Sequence, residues 1–166
     1  MKNSLNILEI PVEKPDGTEV IFGQGTFNLL AVEQLHTVMA PVSLNCEFGL
    51  AFNEGSDEAL IRVTGNCETL KNTAYQNVKN IGCGHTFFIA INKGFPIQVL
   101  NSLKLVQTVV NIYGATGNRC SVVVTDNGYG RGVVSFIDGK SPSRKENDEE
   151  KSARKNFLNR IGYIGS

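Results

Sequence analysis

A continuous apolar run near the middle of the chain constrains the fold more than any other feature. Residues 86–91 read Thr-Phe-Phe-Ile-Ala-Ile, and glycines at positions 82 and 84 precede them. A strand with one face in water alternates apolar and polar side chains, whereas this run has no polar face. It therefore predicts a central β-strand, residues 85–92, that is covered on both faces.

The elements predicted on either side of this strand mix strands with helices. Strand patterns occupy residues 5–12, 19–22, 46–52, 59–63, 109–113, 121–125 and 132–137. Helices are predicted from a cap at Asn28 to Pro41, from a cap at Asn66 to about Asn80, from Pro96 onward, and over residues 148–161. The order ββαββαβαβββα predicts one α/β domain of the α+β type over residues 1–166, with a mixed β-sheet and interspersed helices. Residues 141–151 are predicted to form a charged surface loop.

Charge and apolar content narrow the classes of function. Lys plus Arg and Asp plus Glu number 16 each, so the formal net charge is zero, whereas binding through nucleic-acid phosphates needs an excess of cations. No apolar run approaches the roughly 20 residues of a membrane span, and residues 1–11 lack the apolar core of a signal peptide. We therefore expect a cytoplasmic protein that binds neither nucleic acid nor membrane.

The cysteines and histidines are too few and too scattered to predict a metal site. The four cysteines form no C-x-x-C motif, and there are two histidines. We therefore expect no zinc site and no disulfide, but four small buried thiols.

His85 is the leading candidate for chemistry, because it lies where a helix ends and the buried strand begins. Glycines at 82 and 84 let the backbone turn sharply and approach a ligand closely. A neutral imidazole there could act as a general base, a metal ligand or a nucleophile. The alternative is a core histidine bonded to a backbone carbonyl. His36 is expected to be a packing or surface residue.

Two turns carry groups suited to phosphate or ribose. Residues 128–132 (Gly-Tyr-Gly-Arg-Gly) could form an anion-binding nest of amides beside the Arg131 cation, or simply a hairpin turn. Asp138 follows a strand end, where a carboxylate could meet a ribose hydroxyl or a metal, although Asp-Gly is equally a plain turn. The chain lacks G-x-x-x-x-G-K-[ST], which disfavours a Walker-type ATP site.

Four other polar residues complete the candidates. Asn101 and Lys104 lie three apart on one predicted helix face, where Lys104 could contact phosphate or merely be solvated. Glu54 and Arg62 lie on adjoining strands, where they could contact substrate or form a hairpin ion pair.

Several segments in one order are more specific than any of these alone. They are Gly-Leu-Ala-Phe-x-Glu (49–54), Ile-Arg-Val-x-Gly-Asn (61–66), Ile-Gly-x-Gly-His-Thr-Phe (81–87), Pro-Ile-x-Val-Leu-Asn-Ser-Leu-Lys (96–104), Ala-Thr-Gly-Asn (115–118), Gly-Arg-Gly-Val-Val (130–134), Asp-Gly-x-Ser-Pro (138–142), and Arg154 followed by Phe-Leu-x-Arg-Ile-Gly-Tyr (157–163). From about Val20 to Tyr163 the chain resembles the adenosine-specific kinases, a family of small archaeal and bacterial proteins.

The resemblance implies a compact α/β domain that forms homo-oligomers, as trimers, and binds adenosine and AMP rather than ADP or ATP. It also implies that His85, in the Gly-x-Gly-His-Thr motif, carries a stable phosphoryl group. The residues expected to bind substrate or phosphate are Gln24, Glu54, Gly84, Thr86, Asn101, Lys104, Arg131 and Asp138. No protein metal site is expected, but a divalent metal could accompany a phosphoryl donor.

One segment departs from the family pattern. Relatives carry a Gly-Gln-Ser-His-Phe-type segment and then Lys-Thr near the first helix, where this chain has Gly-Gln-Gly-Thr-Phe (23–27) and Asn-Leu-Leu-Ala (28–31). Because the histidine and the basic residue of that segment are missing from this chain, two functions stay open. The protein could transfer phosphoryl groups to adenosine, or it could be a non-catalytic adenosine or AMP sensor or carrier. A metal-dependent hydrolase using His85, Asp138 and Glu54 is a third alternative, which the scarcity of histidines disfavours.

Overall fold

Two antiparallel sheets and four α-helices make up the described residues, 5–26, 31–41 and 45–162, of a computed structural model. The strands are β1 (Asn6–Pro11), β2 (Glu19–Gly25), β3 (Glu47–Asn53), β4 (Ile61–Gly65), β5 (Thr86–Asn92), β6 (Val109–Thr116), β7 (Cys120–Asp126) and β8 (Arg131–Asp138). The helices are α1 (Ala31–Met39), α2 (Glu68–Ile81), α3 (Leu100–Lys104) and α4 (Asp148–Arg160), with a 3-10 turn (Pro96–Gln98) before α3. The α+β class and the order ββαββαβαβββα are confirmed.

The strands divide between a five-stranded sheet of order β4-β3-β5-β2-β6 and a three-stranded sheet of order β1-β7-β8. Every pairing between these strands is antiparallel, so two antiparallel sheets stand in place of the predicted mixed β-sheet. Strand β5 lies at the centre of the larger sheet, and all of its residues from Thr86 to Ile91 are buried. The prediction of a central strand covered on both faces is therefore confirmed.

Two hydrophobic cores lie on the two faces of the five-stranded sheet. One face is covered by α2 and the three-stranded sheet, and it receives Phe88 and Ala90 of β5. The other is covered by α1 and α3, and it receives Phe87, Ile89 and Ile91. Because successive residues of a strand point to opposite faces, a strand between two cores needs apolar residues at every position. This explains the continuous apolar run at residues 86–91.

Helix α2 delivers the chain to His85. It ends at Ile81, and Gly82 follows in the left-handed conformation (φ 68°) with its N–H bonded to the Val78 carbonyl, as its sequence predicts. The predicted cap at the other end is wrong, because the N-cap is Cys67. The Asn66 side chain instead binds the backbone at the start of β3. It accepts the Phe48 N–H and donates to the Cys46 carbonyl, each at 2.8 Å.

Helix α4 begins at Asp148, where the sequence predicts a helix to start, and so it overlaps the end of the predicted loop 141–151. The Asn147 side chain accepts the Glu150 N–H at 2.8 Å, and the Glu150 carboxylate accepts the Asn147 N–H at 2.9 Å. This capping box starts the helix at Asp148, so residues 148–151 are helical and the exposed loop is shorter than predicted. None of the residues of α4 is buried.

The predicted cap at Asn28 lies outside the described residues, and so do residues 27–30 of the departing segment 23–31. Of the helices that are described, none combines the length and apolar character needed to cross a membrane.

Candidate functional site

His85 occupies the turn between α2 and β5 in a left-handed backbone conformation (φ 55°). Its N–H donates to the Asn53 carbonyl at 2.9 Å, and its carbonyl accepts the Gly25 N–H at 2.8 Å. A left-handed histidine costs about 1–2 kcal/mol, and it persists because the ends of β3 and β2 hold its main chain on both sides. Such strain is concentrated at functional sites.

The imidazole faces a carboxylate that also binds an arginine. His85 Nε2 lies 3.5 Å from Glu54 Oε1, and Arg62 Nη2 lies 2.9 Å from Glu54 Oε2. The predicted hairpin ion pair of Glu54 and Arg62 is confirmed, and His85 joins it. The Glu54 side chain is only 8% exposed, so solvent screens this cluster weakly. A carboxylate beside Nε2 favours the tautomer with its proton on Nε2 and a lone pair on Nδ1.

The other side of the ring lies against backbone. A methyl group at Gly55 would come within 2.9 Å of His85 Cε1 and Nδ1 and 3.0 Å of the Gly84 Cα. The Phe52 ring lies 6.1 Å from the imidazole, centroid to centroid. The absence of a side chain at Gly55 therefore lets the loop after β3 close on the Nδ1 edge.

A cavity of about 720 Å³ lies next to the residues that flank this edge, and neither His85 nor Glu54 is among its lining residues. Gly55 and Gly84, which flank the imidazole, line it together with Asn53, Tyr129 and Arg131. It lies between the loop after β3, the turn that carries His85 and the loop between β7 and β8. Its volume is within the usual range for small-molecule sites.

Arg131 ties the cavity wall to the end of α2. Its Nε donates to Asp126 Oδ2 at 3.0 Å, and its Nη1 donates to the carbonyls of Asn80 and Ile81 at 2.9 and 3.3 Å. A cation is favourable at a helix C-terminus. The Gly128 N–H and the Arg131 guanidinium lower the pKa of Asp126 below its usual value.

The prediction of an anion-binding nest at residues 128–132 is wrong. The N–H of Gly128 donates to Asp126 Oδ1 at 2.8 Å, and those of Tyr129 and Gly130 donate to Asn127 Oδ1 at 3.0 and 2.9 Å. These amides are occupied by the loop's own side chains, which a glycine pattern alone does not reveal.

Gln24 and Thr86 lie beside His85 as cross-strand neighbours on β2 and β5. The Gln24 side chain accepts a hydrogen bond from the Tyr113 hydroxyl. Thr86 is buried, and its hydroxyl donates to the Cys83 carbonyl at 2.7 Å. Asn53, which was not among the residues expected to bind substrate, donates to the same carbonyl at 2.7 Å. Its signal was a polar side chain at the end of a buried strand. These bonds shape the turn that carries His85.

The remaining predicted site residues do not join this cluster. Asn101 and Lys104 are exposed on α3, which packs on the other core through Leu103, and neither lines the cavity. Asp138 ends β8, seven residues from Arg131 and so roughly 23 Å away along an extended strand. Its Oδ1 accepts the Thr116 hydroxyl at 2.7 Å and the Asn118 amide at 3.0 Å.

The cysteines and His36 lie in surroundings that favour a packing role over a chemical one. All four cysteines are free, and three are buried, with Cys67 only partly so. Burial raises the pKa of Cys83 and of Cys120 to about 11, which disfavours the reactive thiolate. His36 Nδ1 lies 2.7 Å from the Thr64 hydroxyl, which fits the packing role predicted for it. Among the described residues, no group of three or more His, Cys, Asp or Glu could hold a metal ion.

The fold and the site define a small α+β protein in which a strained histidine, held by a carboxylate, adjoins a ligand-sized cavity. The family model for adenosine specific kinases matches residues 10–164, and the chain belongs to that family. The PH1918 protein from Pyrococcus horikoshii OT3, whose crystal structure is known, is 38% identical to this chain. That similarity covers 98% of this chain and 100% of the other, with a TM-score of 0.90. Comparison with curated proteins gives no match.

Proposed function

We propose that the protein binds adenosine or AMP in the cavity beside His85 and that His85 accepts a phosphoryl group there. The observation that carries the proposal is the contact between Glu54 and His85 Nε2, next to Gly55 and Gly84, which line this cavity. Family membership supports adenosine as the ligand.

The geometry supports Nδ1 as the nucleophile. Nε2 is buried and faces Glu54, so Nδ1 is the ring nitrogen on the side of Gly55, which lines the cavity. The Nδ1 lone pair would attack the phosphorus of a phosphoryl donor, forming an N–P bond as the P–O bond to the leaving group breaks. The leaving group keeps that electron pair. The ring then carries a positive charge, which the Glu54 carboxylate balances.

The second half of the reaction regenerates the histidine. A hydroxyl of adenosine would attack the phosphorus and lose its proton to solvent, while the N–P bond breaks and its electron pair returns to Nδ1. A divalent cation would enter with the donor and neutralise phosphate charge.

A second candidate is an adenosine or AMP sensor or carrier without turnover. One observation favours it, namely that the groups expected to hold a phosphoryl group are engaged or remote. Arg131 binds Asp126 and the end of α2, the amides of residues 128–130 are bonded to side chains, and Lys104 does not line the cavity.

Calorimetric titration with adenosine, AMP, ADP and ATP, together with labelling by [γ-³²P]ATP, separates the two functions. We expect stable complexes with adenosine and AMP only, and we expect ATP to act as a transient phosphoryl donor that leaves an acid-labile, alkali-stable label on the protein. In His85→Asn the label should disappear while binding remains, because asparagine tolerates a left-handed conformation. His36→Asn is the matched control and should keep both. Binding without a label supports the sensor, whereas no binding of adenosine or AMP contradicts both functions.

The resemblance to a trimeric family also leads us to propose a homo-oligomer, supported by the lack of any buried residue in α4. The four free thiols support the cytoplasm as its compartment.

A further inference from the structure

We propose that Tyr129 is the residue on which the adenine ring stacks, an inference that rests on the proposed function. Tyr129 lies at the tip of the loop between β7 and β8, and the residue is 99% exposed. A tyrosine offers a large aromatic surface whose burial is favourable. Full exposure leaves that surface available to a ligand.

The loop holds Tyr129 in a defined position. The Asn127 side chain accepts the N–H groups of Tyr129 and Gly130, and the Asn127 N–H donates to the Gly130 carbonyl at 3.3 Å. Asp126 accepts the Gly128 N–H and also binds Arg131. The aromatic ring is therefore presented by a bonded turn, and little backbone entropy is lost when a ligand binds to it.

Tyr129 lines the same cavity that adjoins His85. Leu5, which is 64% exposed, lies on the same lining, so the cavity wall carries two exposed apolar side chains. Asn53, Asp57 and Arg131 supply polar and charged groups to the wall. This combination suits a molecule with a flat apolar ring at one end and a hydroxylated or anionic group at the other. A nucleoside or nucleoside monophosphate has that form.

No other described aromatic residue lines this cavity. The chain has no tryptophan, and Phe52, the aromatic neighbour of His85, is 1% exposed within a core. Tyr129 is thus the described side chain that can stack on a base in this cavity. Because every base has a π-face, stacking contributes affinity without discriminating strongly between bases.

The first test compares the affinities of Tyr129→Ala and Tyr129→Phe for adenosine and AMP by calorimetry. We expect Tyr129→Ala to weaken both by about tenfold to a hundredfold, and Tyr129→Phe to stay within about threefold of the wild type, since it keeps the ring. Tyr75→Ala, on α2 and away from the cavity lining, is the matched control. Circular dichroism checks that each variant is folded.

The second test observes the ring directly by ¹⁹F NMR of protein labelled with 3-fluorotyrosine. The chain has four tyrosines, and the resonance missing from Tyr129→Phe identifies Tyr129. We expect adenosine to shift this resonance and ribose to leave it unchanged.

The outcomes separate this inference from the proposed function. If the wild type binds adenosine and Tyr129→Ala binds it equally well, the stacking role is overturned while the proposed function stands. If Tyr129→Ala changes the oligomeric mass but not the affinity, Tyr129 belongs to an interface and the stacking role is again overturned. If the wild type binds neither adenosine nor AMP, the proposed function fails, and the inference fails with it.

Discussion

Glu54 contacts a guanidinium and an imidazole at once, from a position that is 8% exposed. One of its carboxylate oxygens faces Arg62, and the other faces His85. A buried carboxylate is costly by itself, and the two partners offset that cost. At the scale of single residues, this one carboxylate both stabilises the hairpin through Arg62 and favours the tautomer of His85 that has a lone pair on Nδ1.

Glu54→Gln should therefore destabilise the fold and reduce labelling of His85. The amide leaves Arg62 facing a neutral group, and because Arg62 is 30% exposed we expect a loss of about 1–3 kcal/mol. Urea unfolding measures this loss of stability, and Glu58→Gln, at a nearby exposed glutamate, is the control. In a double-mutant cycle with Arg62→Gln, a coupling energy near zero would show that the ion pair does not stabilise the protein.

The buried thiols give the fold a pH dependence in alkaline solution. Burial raises the pKa of Cys83 and Cys120 from a usual value of 9.0 to about 11. Between about pH 9 and 11 the unfolded chain therefore loses protons that the folded chain keeps. Stability is fully present below pH 9, and it falls by about 1.4 kcal/mol per pH unit for each thiol as the pH rises toward 11.

Unfolding by urea at pH 8, 9, 10 and 11 measures this fall. Comparison with the double variant Cys83→Ala, Cys120→Ala removes contributions from other groups, including Tyr113, whose pKa burial also raises. The same slope in the variant and the wild type would contradict the assignment.

At the scale of elements, the sequence predicted individual strands and helix ends better than it predicted which strands pair with each other. Strand β5 is recognisable because each of its faces meets a core, and the end of α2 because Gly82 supplies a left-handed stop. The partner of β1 is not recognisable, since β1 pairs with β7 across about 110 residues, as the bond between Glu9 and Ser121 illustrates. No local pattern specifies such a distant pairing.

The candidate site was predictable where its residues carried a local sequence signal, and it was not predictable where its geometry depends on distant contacts. Glu54, Arg62 and His85 adjoin because β3 pairs with β4 and β5, and each carried a local signal. Asp138 and Arg131 are both polar residues of β8, but they lie at opposite ends of that strand. Asn127 and Asp126 occupy the loop amides, a detail of side-chain conformation that spacing does not determine.

The packing of α2 on β3 depends on the absence of a side chain at Gly49. A Cβ there would overlap the backbone of Leu70 and Lys71. Since that obstacle is backbone, it cannot be relieved by a rotamer change. We expect Gly49→Ala to lower the free energy of unfolding by about 3 kcal/mol.

The matched control is Gly130→Ala. A Cβ at Gly130 meets no atom within 4 Å, so stability should change by less than about 0.5 kcal/mol. Chemical unfolding of both variants gives the comparison, and equal stabilities would contradict the packing account.

At the scale of the whole molecule, α4 stands apart from the two cores. Ion pairs between Arg144 and Glu150 and between Arg154 and Glu146 bind it to the preceding loop, and none of its side chains is buried. An isolated helix of this length is marginal in water, and surface ion pairs add little to its stability. A second copy of the chain, packed against α4, would supply the missing stabilisation.

This account predicts that α4 is ordered by assembly. Light scattering should give a mass three times 18.1 kDa at high concentration, and Phe157→Asp, at a side chain 47% exposed on α4, should lower it toward the monomer. Hydrogen exchange across a dilution series should show amides of α4 gaining protection with concentration. Amides of α2, whose inner face includes the buried Leu70, Ala74 and Val78, serve as the internal control and should not change. A constant mass with unprotected α4 amides at every concentration would contradict assembly through this helix, because packing against a partner must slow exchange in the segment that it orders.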